Sequence, residues 1–229
     1  LRHANVKFLA DKTYLDAQGK QQQEHQIFNQ ILKLIDEAQT TIVLDMFLFN
    51  DEVGSSKISH DKLTQNLTEA LIVKKRMTPQ IEIKVITDPI NSVYGGIAPE
   101  HYRQLRQAGI EVIETDLTAL RASNPLWSGF WYLCCQGVGN NAEKGWLPNP
   151  FGDEKITLRS YLSLFNFKAN HRKTVVVDTL EGWKTLVTSM NPHDGSSHHS
   201  NVALMVTGNT AIDVLKNEQA VGRMSKGDI

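Results

Sequence analysis

Asn170-His171-Arg172-Lys173-Thr174-Val175-Val176-Val177-Asp178 is the stretch on which the reading of this chain turns. Its β-branched run from Thr174 to Val177 predicts a strand. With side chains alternating at period two, His171, Lys173, Val175 and Val177 share one face, and Arg172, Thr174, Val176 and Asp178 share the other. The imidazole and the ammonium then project together, about 7 Å apart along the strand. Asp178 falls on the opposite face, which suits it to the following turn better than to orienting His171.

This pairing has a chemistry. A histidine of ordinary pKa, about 6.5, is partly neutral and nucleophilic near pH 7, and the same ring can return a proton. A lysine beside it neutralises charge that grows on phosphate oxygens in a transition state. Ser189 and Asn191 follow in Ser189-Met190-Asn191 and share a face if the chain there is extended. They offer uncharged donors for the remaining oxygens. Such a set suits attack on a phosphodiester and needs neither a metal nor a cofactor.

Outward from the signature, residues 26–38 place Ile27, Phe28, Ile31, Leu32, Leu34 and Ile35 at helical spacing. Residues 40–49 form a dense run of β-formers, a buried strand. A polar loop is expected at 51–57, a helix at 61–75, a strand at 81–87, a flexible loop at 91–99, a helix at 100–108 stopped by Gly109, and a strand at 110–113. Beyond a loop-rich insertion at about 115–155, a helix is expected at 156–165. Strands are expected at 185–188 and 202–206, and a closing helix at 209–219. The alternation predicts an α/β fold, a mixed, mostly parallel sheet with helices on both faces, forming one domain over residues 1–229.

With 229 residues and 41% hydrophobic content, the chain can build a core without disulfides or metals. Its net charge of −1 provides no basic field and counts against nucleic acid as a partner. Cys134 and Cys135 are adjacent and are expected to be reduced thiols. His193, His198 and His199 fit no standard zinc spacing. Trp127, Phe130, Trp131, Tyr132 and Leu133 read either as a packed insertion or as a lipid-facing surface. The apolar stretch 125–135 falls far short of the roughly 20 residues that span a bilayer, and the start 1–5 lacks the apolar region of a signal peptide. The expected location is cytoplasmic, or peripheral at the inner membrane.

His171, Lys173 and Asp178 match the H-x-K-x₄-D motif of the phospholipase D superfamily, and Ser189 and Asn191 resemble the G-S-x-N element that follows it there, with Thr188 in the glycine position. Residues 189–201 look like the bacterial branch that includes cardiolipin synthases. The resemblance implies a phospholipase D-like half-domain in which one motif histidine forms a phosphohistidine and a second protonates the leaving alcohol. Water or an acceptor alcohol then completes hydrolysis or phosphatidyl transfer on a phospholipid at a membrane surface. His171, Lys173 and Asp178 would be the catalytic residues, with Lys173, Ser189 and Asn191 on the substrate.

This sequence departs from the pattern in two ways. It carries one motif, so the second is expected from a missing C-terminal half of a longer protein or from a homodimer mate. The acidic residue often found after S-x-N is absent, leaving Asp45 as the candidate to orient His171. Alternative readings are a homodimeric single-motif endonuclease and a non-catalytic lipid-binding or scaffold module.

Overall fold

The computed structural model describes residues 5–54, 59–137 and 142–227. Part of the loop expected at 51–57, and residues 138–141 of the insertion, lie outside the described residues.

The chain enters through a hairpin that the sequence reading does not anticipate, Val6–Leu15 (β1) and Gln21–Glu24 (β2). Asp16 sets its turn, accepting from the backbone N–H groups of Gln18 (3.0 Å) and Lys20 (2.9 Å), with Gly19 at φ +74°. Only Leu9 and Asp11 of β1 are buried, so the strand lacks the apolar alternation that makes a strand legible.

Gln26–Glu37 (α1) then buries Ile27, Phe28, Ile31, Leu34 and Ile35 as one stripe. Thr41–Met46 (β3), Leu63–Met77 (α2), Glu82–Thr87 (β4), Glu100–Gln107 (α3) and Glu111–Glu114 (β5) follow. The crossovers through α2 and α3 make β3, β4 and β5 parallel.

The segment expected as a long loop holds a helix, Pro125–Cys134 (α4). Asn124 caps it by accepting from Trp127 N–H, and Pro125 occupies its first turn. Cys134 and Cys135 are joined by a disulfide, which corrects the expectation of two thiols. A bond between chain neighbours closes no loop and so adds no framework. A short ribbon of Leu147–Pro148 (β6) and Lys155–Ile156 (β7) precedes Leu158–Leu164 (α5).

Lys173–Thr179 (β8), Gly182–Thr188 (β9), Asn201–Thr207 (β10) and Asn209–Met224 (α6) complete the fold. The eight-stranded sheet has the order β2-β1-β10-β9-β8-β3-β4-β5. It is the expected mixed α/β sheet flanked by helices on both faces. Its parallel part is confined to β3, β4 and β5, and the other ladders of this sheet are antiparallel. Only Leu180 and Glu181 link β8 to β9, too short a connection for a crossover, and that fixes the antiparallel pairing.

On one face α1, α2 and α3 seal Ile42, Leu44 and Met46 of β3 with Val175 and Val177 of β8. On the other, Leu215 and Val221 of α6 pack over Val43, Ile86 and Ile113. The outer strands on the α6 side stay bare. Phe8, Leu204 and Val187 are exposed there, and the register aligns them side by side across β1, β10 and β9. Among the described residues no helix is long and apolar enough to cross a membrane.

Candidate active site

Lys173 is the first residue of β8, and His171 lies just before the strand. Pairing with β3 nevertheless continues outward, since Phe47 N–H donates to Arg172 O at 3.0 Å. The short segment beyond β3 is held from three sides. Leu48 N–H donates to Asn191 Oδ1 (3.1 Å), Phe49 N–H donates to Asn91 Oδ1 (2.9 Å), and Asn91 Nδ2 donates to Phe47 O (2.8 Å). Asn91 belongs to the segment expected as a flexible loop. It is buried instead, because a short turn over Pro89–Ser92 folds it under the end of the sheet.

The Phe47 ring thus becomes a fixed floor. The His171 ring lies 4.2 Å from it, centroid to centroid, and Lys173 Nζ sits 5.0 Å above its centre. Lys173 Nζ donates to His171 O (3.0 Å) and stands 3.2 Å from His171 Nδ1. His171 is exposed, whereas Lys173 is buried. Partial burial, then the Lys173 charge, hold the imidazole below the ordinary histidine range, and burial lowers the Lys173 ammonium from its own. The two groups are therefore brought together, as period two requires.

Asn170 fixes the approach to this pair. Its N–H donates to Asp88 Oδ2 at 2.6 Å, and its Nδ2 lies 2.9 Å from both Asp45 oxygens and from Thr115 Oγ1. Asp45, Asp88 and Thr115 stand at or just past the carboxyl ends of β3, β4 and β5. Ligands of open α/β sheets bind outside that edge. Burial is the main cause that pushes Asp88 up to about 6.

Asp45 does not serve His171. It alternates with Met46 onto the α6 side of β3, where its carboxyl meets Asn170 and lies 3.6 Å from Arg172 Nε. Arg172 itself grips the fully buried Glu218 of α6, through Nη2 to Oε1 (2.7 Å) and Nε to Oε2 (3.1 Å). Thr174 Oγ1 donates to the same carboxylate at 2.8 Å. Burial, then the neighbouring Glu218 carboxylate, push Asp45 up to about 8.

Asp178, expected among the catalytic residues, lies at the other end of β8, about 23 Å along the strand from His171 at about 3.3 Å per residue. Its carboxylate accepts from Thr40 N–H, Thr40 Oγ1 and Thr41 N–H at 2.7–3.1 Å. Its position is architectural. Burial alone would raise its carboxyl, but these hydrogen bonds hold it below the usual range.

A cleft of about 340 Å³ opens at the signature, lined by His171, Arg172, Lys173, Thr174, Val187, Thr188, Val214 and Asn217. Ser189 does not line it. Its Oγ donates to Asn201 Oδ1 (2.9 Å) and accepts from Val202 N–H (3.1 Å), tying the link between β9 and β10. Asn191 does not line it either; its Oδ1 holds Leu48 N–H, next to the Phe47 floor. Val214 and Asn217 are wall residues that the sequence reading missed. Their only signal is a spacing of three on α6, which becomes informative once that helix is known to cross the sheet. Among the described residues no three of His, Cys, Asp and Glu converge to hold a metal.

No protein-family model matches the chain, and no curated protein is significantly similar to it. Solved structures share its fold. Nuc from Salmonella typhimurium, a phospholipase D family member, aligns with a TM-score of 0.51 at 13% identity, over 97% of this chain and 96% of that one. The phosphatidylserine synthase of Haemophilus influenzae Rd KW20 aligns with a TM-score of 0.50 at 11% identity, over 94% of this chain and 36% of that one. The chain therefore has the fold of phospholipase D family members. It matches Nuc end to end and about a third of the synthase.

Proposed function

We propose that this chain acts on phosphodiesters, with His171 as the attacking imidazole and Lys173 as the phosphate clamp. The observation that carries the reading is the 3.2 Å approach of Lys173 Nζ to an exposed His171 over the Phe47 ring, both residues being among those that line the cleft at this end of β8. Nδ1 faces Lys173, so Nε2 is the nitrogen that meets phosphorus. Attack requires a lone pair on Nε2 and a proton on Nδ1. An arriving phosphate draws the ammonium onto its own oxygens and frees Nδ1 to carry that proton. The new N–P bond forms as the P–O ester bond breaks, and the departing alkoxide takes a proton from a second motif histidine. Water or an alcohol then displaces the phosphoryl group from His171, giving hydrolysis or transfer. The lowered pKa of His171 favours the neutral nucleophile. The Ser189 hydroxyl already donates its hydrogen bond to Asn201 Oδ1, whereas Asn191 engages Leu48 through its oxygen and keeps its amide N–H groups as the auxiliary donor.

The substrate class we favour is phospholipid, as in the cardiolipin synthases that residues 189–201 resemble. The fold likeness to a phosphatidylserine synthase supports it, and Asp178 takes part only through the fold. The second histidine comes from further chain or from a second copy. A second reading is a homodimeric single-motif phosphodiesterase or endonuclease. The observation favouring it is that the chain spans nearly the whole of Nuc.

The test is His171→Ala in the full-length protein. Turnover of phosphatidylglycerol, followed by mass spectrometry, should fall at least about a thousandfold. An alkaline quench of the parent should trap phosphate on the peptide that carries His171. Turnover should also fall with acid only below the ordinary histidine pKa. Near-normal turnover by the variant removes the assignment.

A further inference from the structure

We propose that the outer face of α4, continued by Phe165 and Phe167, is a docking surface for an anionic lipid bilayer. α4 reads Pro-Leu-Trp-Ser-Gly-Phe-Trp-Tyr-Leu-Cys and contains no charged residue. Its inner side is committed to the protein. Ser128 Oγ donates to Asn166 Oδ1 at 2.8 Å, and Trp131 is buried. Its outer side leaves Leu126 90%, Phe130 55% and Leu133 91% exposed, one stripe along the helix. A helix satisfies its own backbone, so such a stripe enters an acyl boundary without stranding polar groups.

The aromatic residues extend this surface as far as Phe167. The Trp127 ring lies 5.6 Å from Phe130 and 5.5 Å from Phe165, and Phe165 lies 6.5 Å from Phe167. Phe167 is 65% exposed at φ +49°, a backbone state that bulky side chains rarely hold. The neighbouring Lys168 locks that geometry, with Nζ bonded to Leu117 O (3.2 Å), Leu120 O (2.7 Å) and Tyr132 Oη (2.8 Å). A strained residue is thus held with its ring outward, four positions before His171.

Charge selects the occupant. Residues 117–142 and 155–177 contain not one Asp or Glu, although the chain's net charge is −1. Of their cations, Arg121, Lys155 and Arg159 reach solvent, whereas Lys168 and Lys173 are buried and Arg172 is paired with Glu218. An acid-free segment around an apolar stripe complements a bilayer of anionic headgroups. In naming a phospholipid surface, the inference deepens the phosphodiester reading and rests on it for its purpose. Binding itself is measured apart from turnover.

The experiment is flotation of the full chain with vesicles of phosphatidylcholine alone and of phosphatidylcholine with phosphatidylglycerol. It compares the parent, Leu126→Glu/Leu133→Glu and His171→Ala. The parent and His171→Ala should float with the anionic vesicles, and the double variant should lose at least about tenfold in partitioning. Both leucines lie in solvent, so the thermal midpoint should be unchanged, as should hydrolysis of the soluble bis(p-nitrophenyl) phosphate. Flotation of the double variant equal to that of the parent overturns the proposal, as does failure of the parent to float with anionic vesicles. Self-association that is lost in the double variant, without vesicle binding by the parent, overturns it in favour of a contact between copies. Anionic-vesicle binding without hydrolysis of the soluble diester upholds the docking surface and removes the phosphodiester reading.

Discussion

Asp45 occupies a position where ionisation is costly. Its side chain is fully buried, Glu218 stands beside it, and Arg172 at 3.6 Å offsets too little of that penalty. With its pKa raised to about 8, the carboxyl is mostly protonated at neutral pH. Because the folded value lies above the ordinary carboxylate value, the stability this group contributes is full below about pH 4 and is lost as pH rises toward 8. An asparagine in its place would keep an oxygen for Asn170 and an N–H for Glu218 but has nothing to ionise. Asp45→Asn should therefore gain stability on the parent between about pH 4 and pH 8, by at least about 2 kcal/mol, given about 1.4 kcal/mol per pH unit. Urea unfolding at the two pH values measures it, and parallel pH curves would show that Asp45 ionises freely. The same residue marks a limit of sequence reading. The His171–Lys173 pairing follows from strand period alone, whereas the face that Asp45 occupies depends on the register of β3 against β8, which no local pattern encodes.

Strand β8 holds the proposed His171–Lys173 site at one end and an anchorage at the other. At its end Asp178 receives hydrogen bonds from Thr40 and Thr41, which stitch the exit of β8 to the entry of β3. Asp178→Ala should cost about 1–3 kcal/mol in chemical denaturation. Below the unfolding transition it should leave turnover intact, and a collapse of activity in a fully folded variant would return Asp178 to the catalytic set. α1, α3 and β3 to β5 are legible in the sequence because each buries an unbroken stripe or run. The opening hairpin is not, since β1 sits near the sheet edge and β2 is made of Gln21, Gln22, Gln23 and Glu24. α4 escapes for a different reason. A helix that exposes Leu126, Phe130 and Leu133 while burying Ser128 inverts the polarity by which helices are recognised.

Seen as one object, the molecule has an unfinished side. α6 shields only part of its sheet face, and the bare apolar strip of Phe8, Leu204 and Val187 runs into the cleft, because Val187 belongs to both. On the mechanism proposed above, His171 is one of two histidines, and apolar surface beside it is expected to meet the half that supplies the other. Where that half is a second copy, a twofold axis brings two His171 rings to one phosphate, and every working site needs two intact chains. Wild-type chains mixed with His171→Ala chains and allowed to exchange partners distinguish the arrangements. For obligate pairs activity follows the square of the wild-type fraction, so a 1:1 mixture retains about a quarter of the activity of the same total of wild-type chains. Where each chain works alone or with its own second half, activity follows the fraction itself and the mixture retains about half. A linear response across the series excludes the shared site and assigns the second histidine to further chain.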